Sequence, residues 1–302
     1  MSVGSCLSLL FIGNSFTSFS NLPQLVADVA SSEGWCRPTL GVNTPGGFTF
    51  EQHRSDEQTL RLIARGGWDA VILQQQSELP AFSAIDSRLK ERTMDDAVEL
   101  GKLVAAASPE SPQTKIVLYQ TWSRRPDVVG TKDWKAAYGN DTVVMQSRIS
   151  AWYAAVQAKM DGKPLATVVA PVGDVWQRNF QSDSPLVLHD ADGAHPSLAG
   201  SFVAALTIYT TIFDRGNVTA SFRAGLEDDV ALRCEALVNG FLGDVTVKQQ
   251  TRPKQTQLTT TQLTTTTATV VTKTKEVAMR SEVAVVRVSA AVVLLMLFAT
   301  IY

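Results

Sequence analysis

Asp192-Gly193-Ala194-His195 sets a carboxylate three positions before an imidazole. That spacing lets Asp192 accept from the ring Nδ1–H and fix the tautomer, leaving Nε2 free to take a proton. A helix-capping turn with an incidental histidine is the plain alternative. The other two histidines lack such a pattern: His53 falls on a predicted helix and reads as a surface residue, and His189 has only Asp190 beside it. At the far end of the chain, the apolar run Leu7–Ile12 stops at Gly13-Asn14-Ser15. The run has the length of a buried strand. Gly13 permits a sharp turn and Asn14 tolerates one. Ser15 then stands at the carboxyl end of a strand, where open α/β sheets place their ligands.

The elements between these ends alternate. Leu22 to Ala30 carry apolar residues at helical spacing behind Asn21, a candidate cap, and Pro23. Residues 35–42 form a weak second strand, and Asn43-Thr44-Pro45-Gly46-Gly47 a loop. Phe48–Arg65 reads as a helix, Asp69–Leu73 as a third strand, and Ser83–Ala107 as a long helix. Lys115–Tyr119 and Leu165–Val169 are the fourth and fifth strands. Helices are expected over Thr142–Met160, from Pro171 through Phe180, over Pro196–Phe213 and over Leu226–Phe241. Strands that alternate with helices predict a three-layer α/β/α fold around a central parallel sheet of about five strands. Short, continuously apolar strands fit a sheet covered on both faces.

Composition narrows the function. The 302 residues are 45% hydrophobic and 19% charged, enough for a packed core. A net charge of −2 and the lack of a lysine/arginine-rich run argue against a nucleic-acid partner. Three cysteines, Cys6, Cys36 and Cys234, show no paired metal-ligand spacing. They read as buried free thiols with at most one bridge. Neither a metal nor a cofactor is expected. The Cys6–Ile12 run lacks a basic start and a small-residue cleavage site, so it reads as a strand rather than a signal peptide.

The ends of these strands resemble the SGNH (GDSL-like) hydrolase superfamily, in a branch with Gly-Asn-Ser for Gly-Asp-Ser. Four blocks lie in order across residues 7 to about 213: Phe11-Ile12-Gly13-Asn14-Ser15, Asn43 to Thr49, Val71 to Ser77, and Asp192 to Pro196. The resemblance implies a flavodoxin-like fold, a nucleophilic Ser15, a base His195 and an orienting Asp192. It implies an oxyanion hole from the backbone N–H groups of Ser15 and Gly47 and the side chain of Gln76, which falls on the family's asparagine. Gln74, in place of the family's glycine, is the alternative donor. The activity implied is ester hydrolysis by acyl transfer, on a small-molecule or glycan O-acyl ester. A binding module that kept the fold, and a flavodoxin-like nucleotide binder, are the competing readings. Neither Gly-x-Gly-x-x-Gly nor a P-loop run is present, which lowers the last. Trp122 reads as a pocket wall or a core aromatic; Arg124 and Arg125 read as a solvated loop, with an anionic substrate as the alternative.

Beyond the domain, assigned to residues 1–244, residues 245–281 form a threonine-rich stretch expected to be a disordered or O-glycosylated linker. Residues 282–302, apolar from Val283 onward apart from Arg287, are long enough for a membrane span or a GPI-type signal. Asn140-Asp141-Thr142 and Asn217-Val218-Thr219 are candidate glycosylation triplets, which favours a luminal or extracellular domain. Lys273, Lys275, Arg280 and Arg287 before the apolar segment favour a cytoplasmic, tail-anchored one. The side of the membrane stays open at this point.

Overall fold

The computed structural model describes residues 6–108, 114–129, 138–139, 141–160 and 166–251. Five parallel strands form one sheet: β1 (Ser8–Ile12), β2 (Thr39–Asn43), β3 (Ala70–Leu73), β4 (Lys115–Tyr119) and β5 (Thr167–Ala170), in spatial order β2-β1-β3-β4-β5. Because the strands are parallel, every carboxyl end lies on one rim. β1 and β3 run side by side, with Ile12 opposite Leu73. The Gly13–Ser15 turn and the glutamine run that follows β3 are therefore neighbours by register.

Alternation along the strands feeds two cores. Leu9, Phe11, Ile72, Val117 and Tyr119 point to one face and Leu10, Ile12, Val71, Leu73 and Leu118 to the other, all buried. The first face is covered by α1 (Ser15–Ser18), α2 (Leu22–Ser32), and the later helices that fold back beside it. The second is covered by α3 (Phe50–His53), α4 (Glu57–Ala64), α5 (Leu79–Phe82), α6 (Ser87–Ala106) and, beyond the turn α7 (Pro126–Val129), α8 (Thr142–Met160). The later helices on the first face are α9 (Val172–Phe180), α10 (Leu198–Ile212) and α11 (Asp228–Thr251). α10 is buried along nearly all its length, which matches its largely apolar composition.

Boundaries moved where a local cap outcompeted the helical pattern. The helix expected over Phe48–Arg65 is two: Thr49 caps α3 in a capping box with Gln52, and Asp56 caps α4 through Thr59 N–H. The helix expected from Ser83 starts at Ser87, where Asp86 accepts from Arg88 and Leu89 N–H. Asn21 precedes α2 in a left-handed conformation and makes no side-chain cap. α11 runs to Thr251, so the linker expected from residue 245 begins inside a helix. None of the described helices is long and apolar enough to cross a membrane. The apolar segment 282–302, nearly all of the threonine-rich stretch, and Asn140 lie outside the described residues.

The expectation of buried thiols holds for Cys234 alone, whose thiol burial pushes up to about 12. Cys6 and Cys36 are exposed and form a disulfide that ties the lead into β1 to the lead into β2. A bridge spanning 30 residues restricts the unfolded chain. Cys36→Ser is expected to lower the unfolding free energy by about 2–4 kcal/mol. Urea unfolding with and without reductant checks this: the variant should match the reduced wild type.

Candidate active site

Ser15 opens α1, immediately after β1, and Asn14 caps that turn by accepting from Phe16 N–H at 3.1 Å. Gly13 is required here by space. A Cβ on it would lie 2.5 Å from Thr17 Oγ1 and 2.7 Å from Gln74 Oε1. On the opposite wall, residues 190–195 form a tight loop closed by Asp190 N–H to His195 O at 2.8 Å and Gly193 N–H to Asp190 O at 3.0 Å. Gly193 sits at φ +69°, a conformation that glycine adopts without strain.

This loop carries the imidazole to the serine. Ser15 Oγ–H donates to His195 Nε2 at 2.9 Å, and His195 Nδ1–H donates to Asp192 Oδ2 at 2.5 Å. The Asp192 Oδ1 atom accepts from the N–H groups of Ala194 and His195, at 2.8 and 2.9 Å. Partial burial would raise the Asp192 pKa, but the imidazole and the two N–H groups outweigh it and hold the carboxyl below its usual range. The ring of His195 stacks on Phe19, centroids 4.3 Å apart, and lies 5.2 Å from Phe16.

The other predicted oxyanion groups are placed as follows. Gly47 is exposed, at φ +71°, with nothing within 4 Å of where a Cβ would be, so it presents bare backbone. Gln76 Oε1 accepts from Glu78 and Leu79 N–H at 2.9 and 3.1 Å, capping α5, while its Nε2 lies 3.4 Å from Glu78 Oε2. Gln74 is fully buried; its Oε1 accepts from Asn14 N–H and Thr17 Oγ1–H, and its Nε2 donates to Gln75 O. That burial corrects the alternative in which Gln74 is the oxyanion donor.

Several residues around the site differ from their sequence reading. His53 is fully buried, not a surface residue: Nε2–H donates to Gly13 O at 2.9 Å and Nδ1 takes Thr59 Oγ1–H at 2.8 Å. Burial lowers its pKa more than the Gly13 carbonyl raises it, so the ring is held neutral. Trp122 is fully buried, which removes it as a pocket wall. It stacks on Trp176 at 3.9 Å and on Phe16 at 4.9 Å, and its Nε1–H donates to Ala194 O at 3.0 Å. Arg124 is buried, not solvated, and pairs with Glu78 at 3.0 Å while donating to Ser77 Oγ. Burial would raise the Glu78 pKa, but Arg124 and the Tyr138 hydroxyl hold it below the usual carboxylate range. Arg125 braces the 190–195 loop, donating to Asp190 O, Ala191 O and Asp127. His189, given no role by sequence, donates from Nε2 to Ser123 O at 2.9 Å and stacks on Phe180. No signal in the sequence marks Phe19 or Arg125 for these contacts; a cap-like pattern, Thr49 to Gln52, does mark the turn that buries His53.

No family model matches the chain, and no curated protein matches it in sequence. In three dimensions it is similar to a DUF4886 family protein from Bacteroides uniformis, at 19% identity and a TM-score of 0.61 over 78% of this chain and 94% of that one. It is also similar to the lipase Lip_vut3 from a goat rumen metagenome, at 10% identity and a TM-score of 0.50 over 67% and 95%.

Burial lowers the pKa of His189 from 6.5 to about 4, with Arg124 and Arg125 adding to the effect against the Ser123 carbonyl and Asp192. The folded value lies below the unfolded one, so the unfolded chain takes up the proton first. Stability is therefore lost as pH falls from 6.5 toward about 4, with a slope approaching 1.4 kcal/mol per pH unit from this ring. Urea unfolding across that window should show the slope, and His189→Gln should flatten it by that amount. The five-stranded parallel sheet in the order β2-β1-β3-β4-β5, covered by helices on both faces, is the α/β fold that this chain shares with those two structures, and it sets the four sequence blocks at the carboxyl ends of its strands and in the loop before α10.

Proposed function

We propose that this chain is a serine esterase that cleaves O-acyl esters through a covalent acyl-enzyme. The observation that carries the reading is the hydrogen-bonded line from Ser15 Oγ through His195 to Asp192. Ser15 Oγ attacks the ester carbonyl while its proton passes to His195 Nε2. Asp192 fixes the tautomer and steadies the imidazolium. The tetrahedral oxyanion is met by the N–H groups of Ser15 and Gly47 and by the Gln76 amide. Collapse expels the alcohol, protonated by His195, and leaves the acyl group on Ser15. Water, deprotonated by His195, then releases the acid and restores the hydroxyl.

A fluorophosphonate that phosphonylates activated serines tests this. Covalent labelling of wild type, and none of Ser15→Ala, is the expected result. Asp192→Asn should label far more slowly, because it no longer fixes the productive tautomer. Gln76→Ala should lower kcat by about 10²–10³ if its amide meets the oxyanion. An unlabelled wild type that turns over neither p-nitrophenyl acetate nor acetylated sugars would favour the binding-module alternative. The same screen separates aryl esters from O-acetyl carbohydrates as substrates.

For the compartment, we propose a luminal or extracellular domain held to a membrane by the apolar tail. The support is the exposed Cys6–Cys36 disulfide, which a reducing cytosol would keep open, and the exposed Asn217 of an Asn-Val-Thr triplet. Protein from its native membrane should lose mass on peptide-N-glycosidase treatment, with Asn217 converted to aspartate. Maleimide capture of Cys6 and Cys36 without prior reduction would place the domain on the cytosolic side instead.

A further inference from the structure

We infer that Asn14 is a positioning residue that clamps the Gly46–Gly47 loop to the nucleophile turn, and that in this chain an amide is required there. The inference rests on the proposed roles of Ser15 and Gly47. Asn14 is only 2% exposed and faces groups of opposite kinds. Its Oδ1 accepts from Phe16 N–H at 3.1 Å. Its Nδ2 donates to Phe48 O at 2.9 Å, one residue beyond Gly47. An amide supplies the acceptor and the donor at once; an ionised carboxylate supplies acceptors only. Aspartate, the residue the family usually carries, would here set a buried anion against the Phe48 carbonyl.

The neighbouring glutamines show that the clamp is a built arrangement. Gln74 Oε1 accepts from Asn14 N–H at 2.9 Å, and Gln75 Oε1 accepts from Phe50 N–H at 3.0 Å and Gln76 N–H at 2.8 Å. Gln74 ties the segment after β3 to the nucleophile turn, Gln75 ties it to the start of α3, and Asn14 closes the third side. The loop that carries Gly47 is therefore held by side-chain amides at Phe48 and Phe50. From beneath, the turn is further held by His53 on Gly13 O. Removing the donor at residue 14 frees the loop on the side that faces Ser15, while the fold keeps its other ties.

The test compares full-length wild type with Asn14→Asp and Asn14→Ser. Serine keeps a capping oxygen for Phe16 N–H and loses the Nδ2 donor to Phe48 O, its O–H lying one bond closer to the backbone than that nitrogen, so it separates the clamp from the cap. Three quantities are read: kcat and KM on p-nitrophenyl acetate, the phosphonylation rate of Ser15, and affinity for an aryl trifluoromethyl ketone. The ketone forms a tetrahedral adduct that needs the oxyanion donors. We expect kcat to fall about 10²-fold in both variants, the size of losing one oxyanion donor. Phosphonylation and ketone affinity should fall in step, while KM and the thermal midpoint of Asn14→Ser stay near wild type. Should Asn14→Asp fail to fold, Asn14→Ser decides alone. Wild-type kcat and ketone affinity in a folded variant, or a loss confined to KM and the thermal midpoint, overturns the clamp. A wild type that takes no phosphonate sinks the esterase reading and the clamp together; a reactive wild type with equally reactive variants sinks the clamp alone.

Discussion

One hydrogen bond spans nearly the whole domain: Ser15 Oγ to His195 Nε2, 180 residues apart in sequence. It forms only if the turn after the first strand and the loop before α10 arrive at one rim within a fraction of an ångström. Parallel pairing of all five strands supplies the rim. Burial of α10 against the sheet supplies the second anchor, since Ser197, which caps α10, lies two residues after His195. Ser197 N–H also bonds to Leu188 O, and Asp190 N–H to His195 O, so the loop is sewn to the helix start by backbone bonds. Side-chain ties complete the fit. Trp122 holds the Ala194 carbonyl, Arg125 the carbonyls of Asp190 and Ala191, and His189 the Ser123 carbonyl. Each donor lies on the segment beyond β4 or beside the 190–195 loop, so these bonds tie the β4 end to that loop.

The sheet was legible in the sequence because its strands are short, continuous apolar runs separated by helical periods. Strand order and register do not follow from that pattern, because continuous apolar runs carry no alternation to fix them. Helix starts were less legible, since Thr49, Asp56 and Asp86 each accept backbone N–H groups and set a boundary that apolar spacing does not mark. At the rim, the residues with a recognisable spacing, Asp192 and His195, meet Ser15 as their chemistry requires. The residues that surround them were read as their types usually behave. Polar side chains on amphipathic segments are mostly exposed. His53 and Arg124 are exceptions because each has a partner supplied by a turn distant in sequence: the Gly13 carbonyl after β1 for one, Glu78 at the start of α5 for the other. Partnership across 40 residues or more leaves no local trace in a sequence. The same reason hides the stacking of Phe19 on His195, which depends on two loops meeting.

The groups bonded to the turn that carries Ser15 are mostly uncharged. His53 is kept neutral by burial, Asn43 bridges Asp56 and Thr59 at the edge of the network, and Gln74 and Gln75 present carbonyl oxygens to backbone N–H groups. Arg124 near the site is paired with the Glu78 carboxylate at 3.0 Å. A neutral cradle has an electrostatic consequence. Two unit charges about 6 Å apart at an effective dielectric near 20 interact by roughly 3 kcal/mol. An uncompensated carboxylate under the turn would oppose a negative charge developing on the substrate oxygen by an amount of that order.

The neutral residue at position 14 and the glutamine at position 74 are thus two parts of one arrangement. Gln74 fills the space that Gly13 leaves, since a Cβ at residue 13 would collide with its Oε1. Once Gln74 Oε1 occupies that space it becomes an acceptor for the backbone N–H of Asn14, and the Phe48 carbonyl on the other side is a second acceptor facing the same residue. A residue between two carbonyl oxygens must donate to both. Backbone N–H meets the first, and the side chain is left to meet the second, which aspartate cannot do in its ionised form. Gln74 thus holds the backbone of residue 14 and Phe48 O holds its side chain, so the two contacts grip the turn from opposite sides.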